Sequence, residues 1–272
     1  MKPRPNWIAG GLSVLWLGFI TIPIYAIVAG SVATGQAYMK GGPVAAPASF
    51  TLDSFVRVLA GPFLRYFLNT TIITVSTVVL ALVLALPLSY VVVRGKGWAS
   101  RGVFRLFLFG LAIPSQAVII PMFWVISAIG LYDTWWGVVL PTAAFSMPIS
   151  VLILTSGMRE ITNDLYEAMA LDGASAFKTF IRLVIPLSKP SIATLCVFNG
   201  LHAWNGFLFP LVLTQSDDVK VVTLGLYSFI FQYGADFPAL FAAVILSAIP
   251  LVLLYLFARR ALVAGLMGVG GK

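Results

Sequence analysis

Six stretches of this chain contain no Asp, Glu, Lys or Arg: residues 5–39, 66–93, 106–132, 134–158, 190–216 and 237–258. Even the shortest, 237–258, is 22 residues long. A charge at the centre of a bilayer costs several kcal/mol, and roughly 20 apolar residues in a helix cross the hydrocarbon layer. The runs therefore predict an all-α, polytopic membrane protein of six transmembrane helices, at about 7–30, 67–93, 105–130, 135–158, 190–214 and 237–258. The next longest run, Val221–Ala235, has 15 residues and is too short to cross. It is expected as an interfacial or re-entrant piece. With 60% hydrophobic and 10% charged residues, little is left for a soluble domain, so residues 1–272 read as one membrane domain.

The formal charge of +8 raises nucleic acid as a partner, but the basic residues are scattered between apolar runs and form no patch. They carry orientation instead. With the N-terminus inside, thirteen Lys and Arg fall on inner segments (Lys2, Arg4, Arg94, Lys96, Arg101, Arg105, Arg159, Lys178, Arg182, Lys189, Arg259, Arg260, Lys272). Only Lys40, Arg57, Arg65 and Lys220 fall outside. Basic residues concentrate on the cytoplasmic side, so both termini are expected there. Lys2 and Arg4 before an apolar stretch also open signal peptides. The run from Trp7 to Gly30 is too long for a signal core, and a retained first span is expected.

Catalysis finds no foothold. The chain has one cysteine, Cys196, one histidine, His202, and no carboxylate inside a predicted span. That excludes an intramolecular disulfide, an acid–base dyad and a His/Cys metal cluster. The chain is expected not to be an enzyme and to bind no metal.

The segment between the fourth and fifth spans, 159–189, is different. It holds eight of the chain's 26 charged residues. Thr162 or Asn163 can cap a helix with Asp164 and Glu167 in its first turns, ending near Gly173. A second helix after Ser175 sets Phe177, Phe180, Ile181, Val184 and Ile185 on one face and Lys178 and Arg182 on another, and Pro186 closes the pattern. Two short amphipathic helices of this kind suit the membrane surface or a groove in another protein equally well.

The residues decide by resemblance. Glu167-Ala168-Met169-Ala170-Leu171-Asp172-Gly173-Ala174, followed by Leu183-Val184-Ile185-Pro186, resembles the EAA loop of binding-protein-dependent ABC importer permeases. Met169 stands for the second alanine, and Leu183 and Ile185 exchange the two aliphatics. Asp172-Gly173-Ala174, Trp204-Asn205-Gly206-Phe207 and Phe67-Leu68-Asn69-Thr70 are similar to the carbohydrate branch, the maltose-type inner-membrane permeases.

The resemblance implies that the loop docks in a cleft of an ATP-hydrolysing subunit through Glu167, Ala168, Met169, Asp172, Gly173, Ala174, Phe177, Phe180 and Pro186. Glu167 would face a basic residue of that ATPase, Gly173 would supply the bend, and Pro186 would fix the exit into the fifth span. It also implies a prokaryotic cell membrane, a second homologous permease, an ATPase dimer and an extracytoplasmic solute-binding protein.

ATP and Mg would be bound by the ATPase and no cofactor by this chain, which has no Walker A sequence. The nearest imitation, Gly265–Lys272, lacks the spacing and the following Ser/Thr. This tail is expected as a flexible end; the resemblance offers a tail reaching the ATPase dimer.

Asn199, His202, Trp204 and Asn205 crowd the fifth span. Polar groups at such depth face protein or a water-filled path, so they fit interhelical hydrogen bonding or a polar lining that meets sugar hydroxyls. Trp204 fits packing or stacking on a sugar ring. Gln116, near Pro114, suits a helix break and joins these four as a candidate for the substrate path. Thr70, Thr71, Thr74 and Thr77 suit close helix packing. The competing function is a stand-alone secondary transporter or channel, with 159–189 resting on the membrane. Such a protein typically needs intramembrane acids, which the sequence does not provide.

Overall fold

The computed structural model describes residues 7–47, 49–95, 97–231 and 234–270, with the side chains of the last helix described as far as Leu256. Of the basic residues used for orientation, Lys2, Arg4, Lys96 and Lys272 lie outside the described residues, as does Gly271. The helices in chain order are α1 (Trp7–Ser31), α2 (Gly35–Gly41), α3 (Asp53–Ala60), α4 (Phe63–Arg94), α5 (Trp98–Gly110), α6 (Ile119–Ala128) and α7 (Trp135–Met158). They continue with α8 (Asn163–Leu171), α9 (Ala176–Thr179), α10 (Ile185–Leu187), α11 (Lys189–Trp204), α12 (Leu208–Leu213), α13 (Val222–Gly225) and α14 (Phe237–Gly270). The fold is mostly helical, and a short antiparallel pair, β1 (Ile230–Phe231) and β2 (Gly234–Ala235), stands beside the helices.

Among the described residues, four helices are long and apolar enough to cross a membrane: α1, α4, α7 and α14 over Phe237–Leu256. The stretch expected as a single third span, 105–130, is instead two helices. α5 meets Ser115–Ala128 at 92°. The cause is Pro114, which has no N–H and forces the preceding residue out of the helical region. Leu111, Ala112 and Ile113 tighten to bonds three residues back, and Pro114 itself is extended at ψ 131°.

The fifth expected span, 190–214, is interrupted too. α11 stops at Trp204 because Asn205 satisfies the helix end. Its backbone N–H and its side-chain amide both donate to Leu201 O, at 3.1 and 2.8 Å. Such local side-chain bonds compete with helix continuation. The chain resumes as α12 only at Leu208.

Among its described residues, Val221–Ala235 has no spanning helix. It holds α13, a 3-10 turn over Leu226–Phe229, and both β1 and β2. The glycine-rich tail departs from the flexible end expected of it, since the backbone of α14 is helical through Gly270.

The chain forms two compact units. One comprises residues 1–65 and 225–249. In it Thr34 caps α2 by accepting from Ala37 N at 3.3 Å. Tyr38 meets Phe237 and Phe241 ring to ring at 5.5 and 5.7 Å. Arg57 pairs with Asp236 at 3.1 Å. α1 buries almost nothing and is apolar all round, as a helix facing lipid should be.

The other unit comprises 66–224 and the end of α14, and α7 is its axis. Val151, Leu154 and Met158 of α7 are fully buried against Ala85 of α4, Leu195 of α11, and Tyr166 and Val184 of the loop 159–189. Lipid is as apolar as these side chains, so close packing must supply the association. Gly157 permits it: a β-carbon there would collide with Ser191 Oγ of α11.

Candidate functional site

Within the second unit, the two helix breaks come together. A cavity of about 790 Å³ is lined by Ile113, Ser115 and Gln116 at one break and by Asn205, Gly206 and Phe207 at the other. Val138, Thr142 and Phe145 of α7, and Phe198, Leu201 and His202 of α11, complete most of its wall. Broken helices inside a membrane are tolerated where they line a water-filled cavity or are covered by protein. Of the five residues singled out for a substrate path, Gln116, His202 and Asn205 therefore share one cavity.

Asn199 and Trp204 do not line it. Asn199 is fully buried and donates to Ser150 Oγ at 3.1 Å. That is an interhelical bond, worth about 0.6–2 kcal/mol in a membrane. Trp204 is buried edge-to-face against Phe67 at 5.3 Å. Asn199 and His202 stand three residues apart on one helix, and only the packing of α7 separates the wall of a cavity from a buried contact.

The loop 159–189 is built on the far end of α4. α8 ends in a Schellman motif: Gly173 N–H donates to Ala170 O at 3.0 Å and Ala174 N–H to Met169 O at 2.9 Å. Gly173 takes φ 66° to close it, a conformation that costs an L side chain about 1–2 kcal/mol. Ser175 then caps α9 by accepting from Lys178 N at 3.3 Å.

The apolar stripe of the second helix does not face one way. A π turn over Phe180–Val184, with Ile185 N–H donating to Phe180 O, inserts an extra residue into the helical turn. Val184 goes into the core, and Phe180 turns toward Tyr90 at 5.3 Å. Phe177 stays 74% exposed. Pro186 does not end the helix, because the π turn ahead of it and its place in the first turn of α10 absorb its missing N–H. The 72° bend into α11 falls instead between Leu187 and Lys189.

Two residues not singled out from the sequence hold the loop. The Arg94 guanidinium lies 4.1 Å over the Tyr166 ring and donates to Asn163 Oδ1 at 3.2 Å. Tyr90 donates to Ala176 O at 3.5 Å. Burial pushes the Tyr166 phenol above its ordinary value, against the opposing pull of Arg94. Glu167, Ala168, Asp172 and Gly173 remain exposed, Met169 and Ala174 half-exposed, and Leu171 is 90% exposed. The chain itself leaves this leucine, at the end of an anchored helix, uncovered. Its position after the Glu-Ala-Met-Ala run was the available signal.

At its other end α4 is stitched to residues 214–222. Asn69 donates to Asp218 O and Lys220 O at 2.8 and 2.9 Å and accepts from Trp135 Nε1 at 3.1 Å. Thr70 accepts from Val222 N at 2.9 Å. Tyr66 donates to Asp217 at 3.1 Å, and Asp217 pairs with Lys220. That hydrogen bond holds the Lys220 ammonium above its ordinary value. Asp133, at φ 57°, accepts from Gln215 N and Ser216 N at 2.8 and 3.0 Å. Burial works to raise its carboxyl, and the two amides together with the Ser216 hydroxyl outweigh burial, leaving it below the usual carboxylate range.

A helical unit whose interrupted helices enclose a cavity, with an anchored but uncovered loop at one end, has the form of a membrane permease. The chain belongs to the family of binding-protein-dependent transport system inner membrane components, whose model matches residues 77–267. It is 33% identical over 267 residues to an ABC transporter permease protein of Caldicellulosiruptor sp., covering 98% of this chain and 97% of that one. It is 30% identical over 268 residues to the diacetylchitobiose uptake system permease protein NgcG of Streptomyces coelicolor, covering 97% and 87%. The fold is that of a chain in the crystal structure of a bacterial ABC transporter involved in the import of the acidic polysaccharide alginate. That likeness has a TM-score of 0.83 at 22% identity and covers 96% of this chain and 98% of that one. The chain is therefore an inner-membrane permease component, and ATP hydrolysis in such systems belongs to a partner.

Proposed function

We propose that this permease carries a sugar or sugar derivative inward, delivered by an extracytoplasmic solute-binding protein, through the cavity between the two helix breaks. That cavity is the observation that carries the reading. Its mixture of Phe145, Phe198 and Phe207 with Gln116, His202 and Asn205 suits a ligand with apolar ring faces and hydroxyl edges. The Streptomyces relative, named for diacetylchitobiose uptake, supports a carbohydrate.

Six spans follow if α5 with α6 makes the third and α11 with α12 the fifth. Residues 176–187, which carry Lys178 and Arg182, belong to the loop rather than to a span. Both termini and the loop 159–189 then lie in the cytoplasm, and residues 214–222 face outward. Val221–Ala235 lies at the outer membrane surface.

The chain pairs with a second, homologous permease. A dimer of ATPase subunits receives the exposed surface of α8 and α9: Glu167, Ala168, Met169, Asp172, Ala174 and Phe177, with Leu171 added. Phe180 and Pro186 act from behind that surface, one against Tyr90 and the other before the bend into α11. ATP and Mg sit on the ATPase. Its closure moves α8, and Tyr166 and Val184 pass the movement to α7 and α11, opening the cavity outward.

The test is uptake of a labelled oligosaccharide by vesicles holding the complete transporter. Transport stops without the ATPase, and His202→Ala with Asn205→Ala raises KM while ATPase subunits stay bound. Uptake by this chain without any ATPase would overturn the importer reading in favour of a stand-alone transporter.

A further inference from the structure

A second cavity, of about 230 Å³, lies where α4 ends, α5 begins and α7 ends. Three arginines line it: Arg101 and Arg105, one helical turn apart on α5, and Arg159 just beyond α7. No acidic side chain lines it. Among the described residues, none of the three is paired with a carboxylate. Three guanidinium groups around one small cavity repel one another unless an anion sits among them. Arg159 is held there, its guanidinium 5.1 Å over the Phe104 ring. The start of α5 adds to the same field: no side chain caps its first turn, and a helix N-terminus attracts negative charge. Ser100 is in the lining as well.

The surroundings indicate which anion. Val92, Val93 and Phe104 give the cavity an apolar wall. Trp98, at the first residue of α5, is 84% exposed, the placement of an interfacial tryptophan at headgroup level. A phosphate that brings its own acyl chains fits both the wall and the depth, whereas free phosphate uses only the arginines. We propose that this cavity binds the phosphate headgroup of an anionic phospholipid in the leaflet that meets the Arg94 end of α4. The site rests on the chain being membrane-embedded and not on the proposed sugar cargo or ATPase docking.

The complete transporter, placed in lipid discs of four parts phosphatidylcholine to one part phosphatidylglycerol, is extracted into mild detergent, and its retained lipids are counted by mass. Wild type retains phosphatidylglycerol in preference to phosphatidylcholine. Arg101→Gln with Arg105→Gln lowers that retention roughly tenfold, each basic group near an anionic surface contributing severalfold. Lys in place of both arginines keeps most of it. Lys178→Gln with Arg182→Gln, which removes the same charge elsewhere, leaves it unchanged. Equal loss in both glutamine pairs would mean diffuse charge and overturn the site. Displacement of the lipid from wild type by inorganic phosphate would make it a free-anion site. Intact lipid with loss of ATPase subunits from the Arg101/Arg105 variant would make it a protein contact.

Discussion

The two ends of α4 are held by different means. Asn69 and Arg94, 25 residues apart, stand roughly 37 Å from each other along the helix at 1.5 Å per residue. Around Asn69, Asp218 O, Lys220 O and Val222 N of 214–222 are bonded to α4, and Gln215 N and Ser216 N to Asp133. Around Arg94, the loop 159–189 is fixed from one side by Tyr166, Val184 and Phe180. Its other side presents Leu171 and Phe177. A surface that satisfies itself needs no partner to keep its shape. One that exposes apolar side chains on an anchored frame is built to gain something by being covered. Under the proposed docking, the Asn69 end is static and the Arg94 end is a moving contact.

Changes at the two ends should therefore have different consequences. The largest effect on transport is expected from Gly173→Val, a β-branched residue forced to φ 66°. Uptake should fall by more than about tenfold, since even 1.4 kcal/mol of lost coupling is tenfold, while the complex still assembles in discs. Retained uptake would show that the Schellman turn plays no part in coupling.

The largest effect on stability is expected at Asn69, buried with three hydrogen bonds. Asn69→Leu leaves two carbonyls and an indole N–H unpaired, at about 3 kcal/mol in total. Limited proteolysis should then cut 214–222, with the loop 159–189 unaffected. Arg94→Gln removes a cation–π contact and a charged hydrogen bond, and about 1–2 kcal/mol of local stability is lost. Hydrogen exchange should accelerate in 163–171 and not in 214–222. Acceleration at both ends would erase the contrast.

The smallest effect is a pH dependence. The folded Asp133 carboxyl titrates below its ordinary value. Its contribution is therefore present above the usual carboxylate range and lost as pH falls through the folded value. Cleavage of 214–222 should rise in that acidic window for wild type, and Asp133→Ala should show the raised cleavage at neutral pH already.

The sequence discloses these regions unevenly. Charge-free runs mark where the chain meets lipid because the cost of a buried charge is local to each residue. The EAA-like residues mark the loop because Gly173 and its neighbours set a local turn. The breaks after Gly110 and Trp204 are written in Pro114 and Asn205, yet a hydrophobic run reads the same whether its helix is straight or interrupted. The meeting of those breaks around one cavity is tertiary and leaves no local mark. The π turn that divides Phe177 from Val184 is likewise invisible to a count of helical spacing. Arg94 looks like one more basic residue until Tyr166 lies beneath it.

In the proposed assembly the uncovered side of α8 and α9 is a docking surface and not a structural one. Leu171→Ser with Phe177→Ser tests it directly, by thermal unfolding of the purified permease beside co-purification of its ATPase. The expected result is an unchanged unfolding temperature, because both side chains are exposed, together with loss of the ATPase. An ATPase that stays bound to the double variant would contradict it.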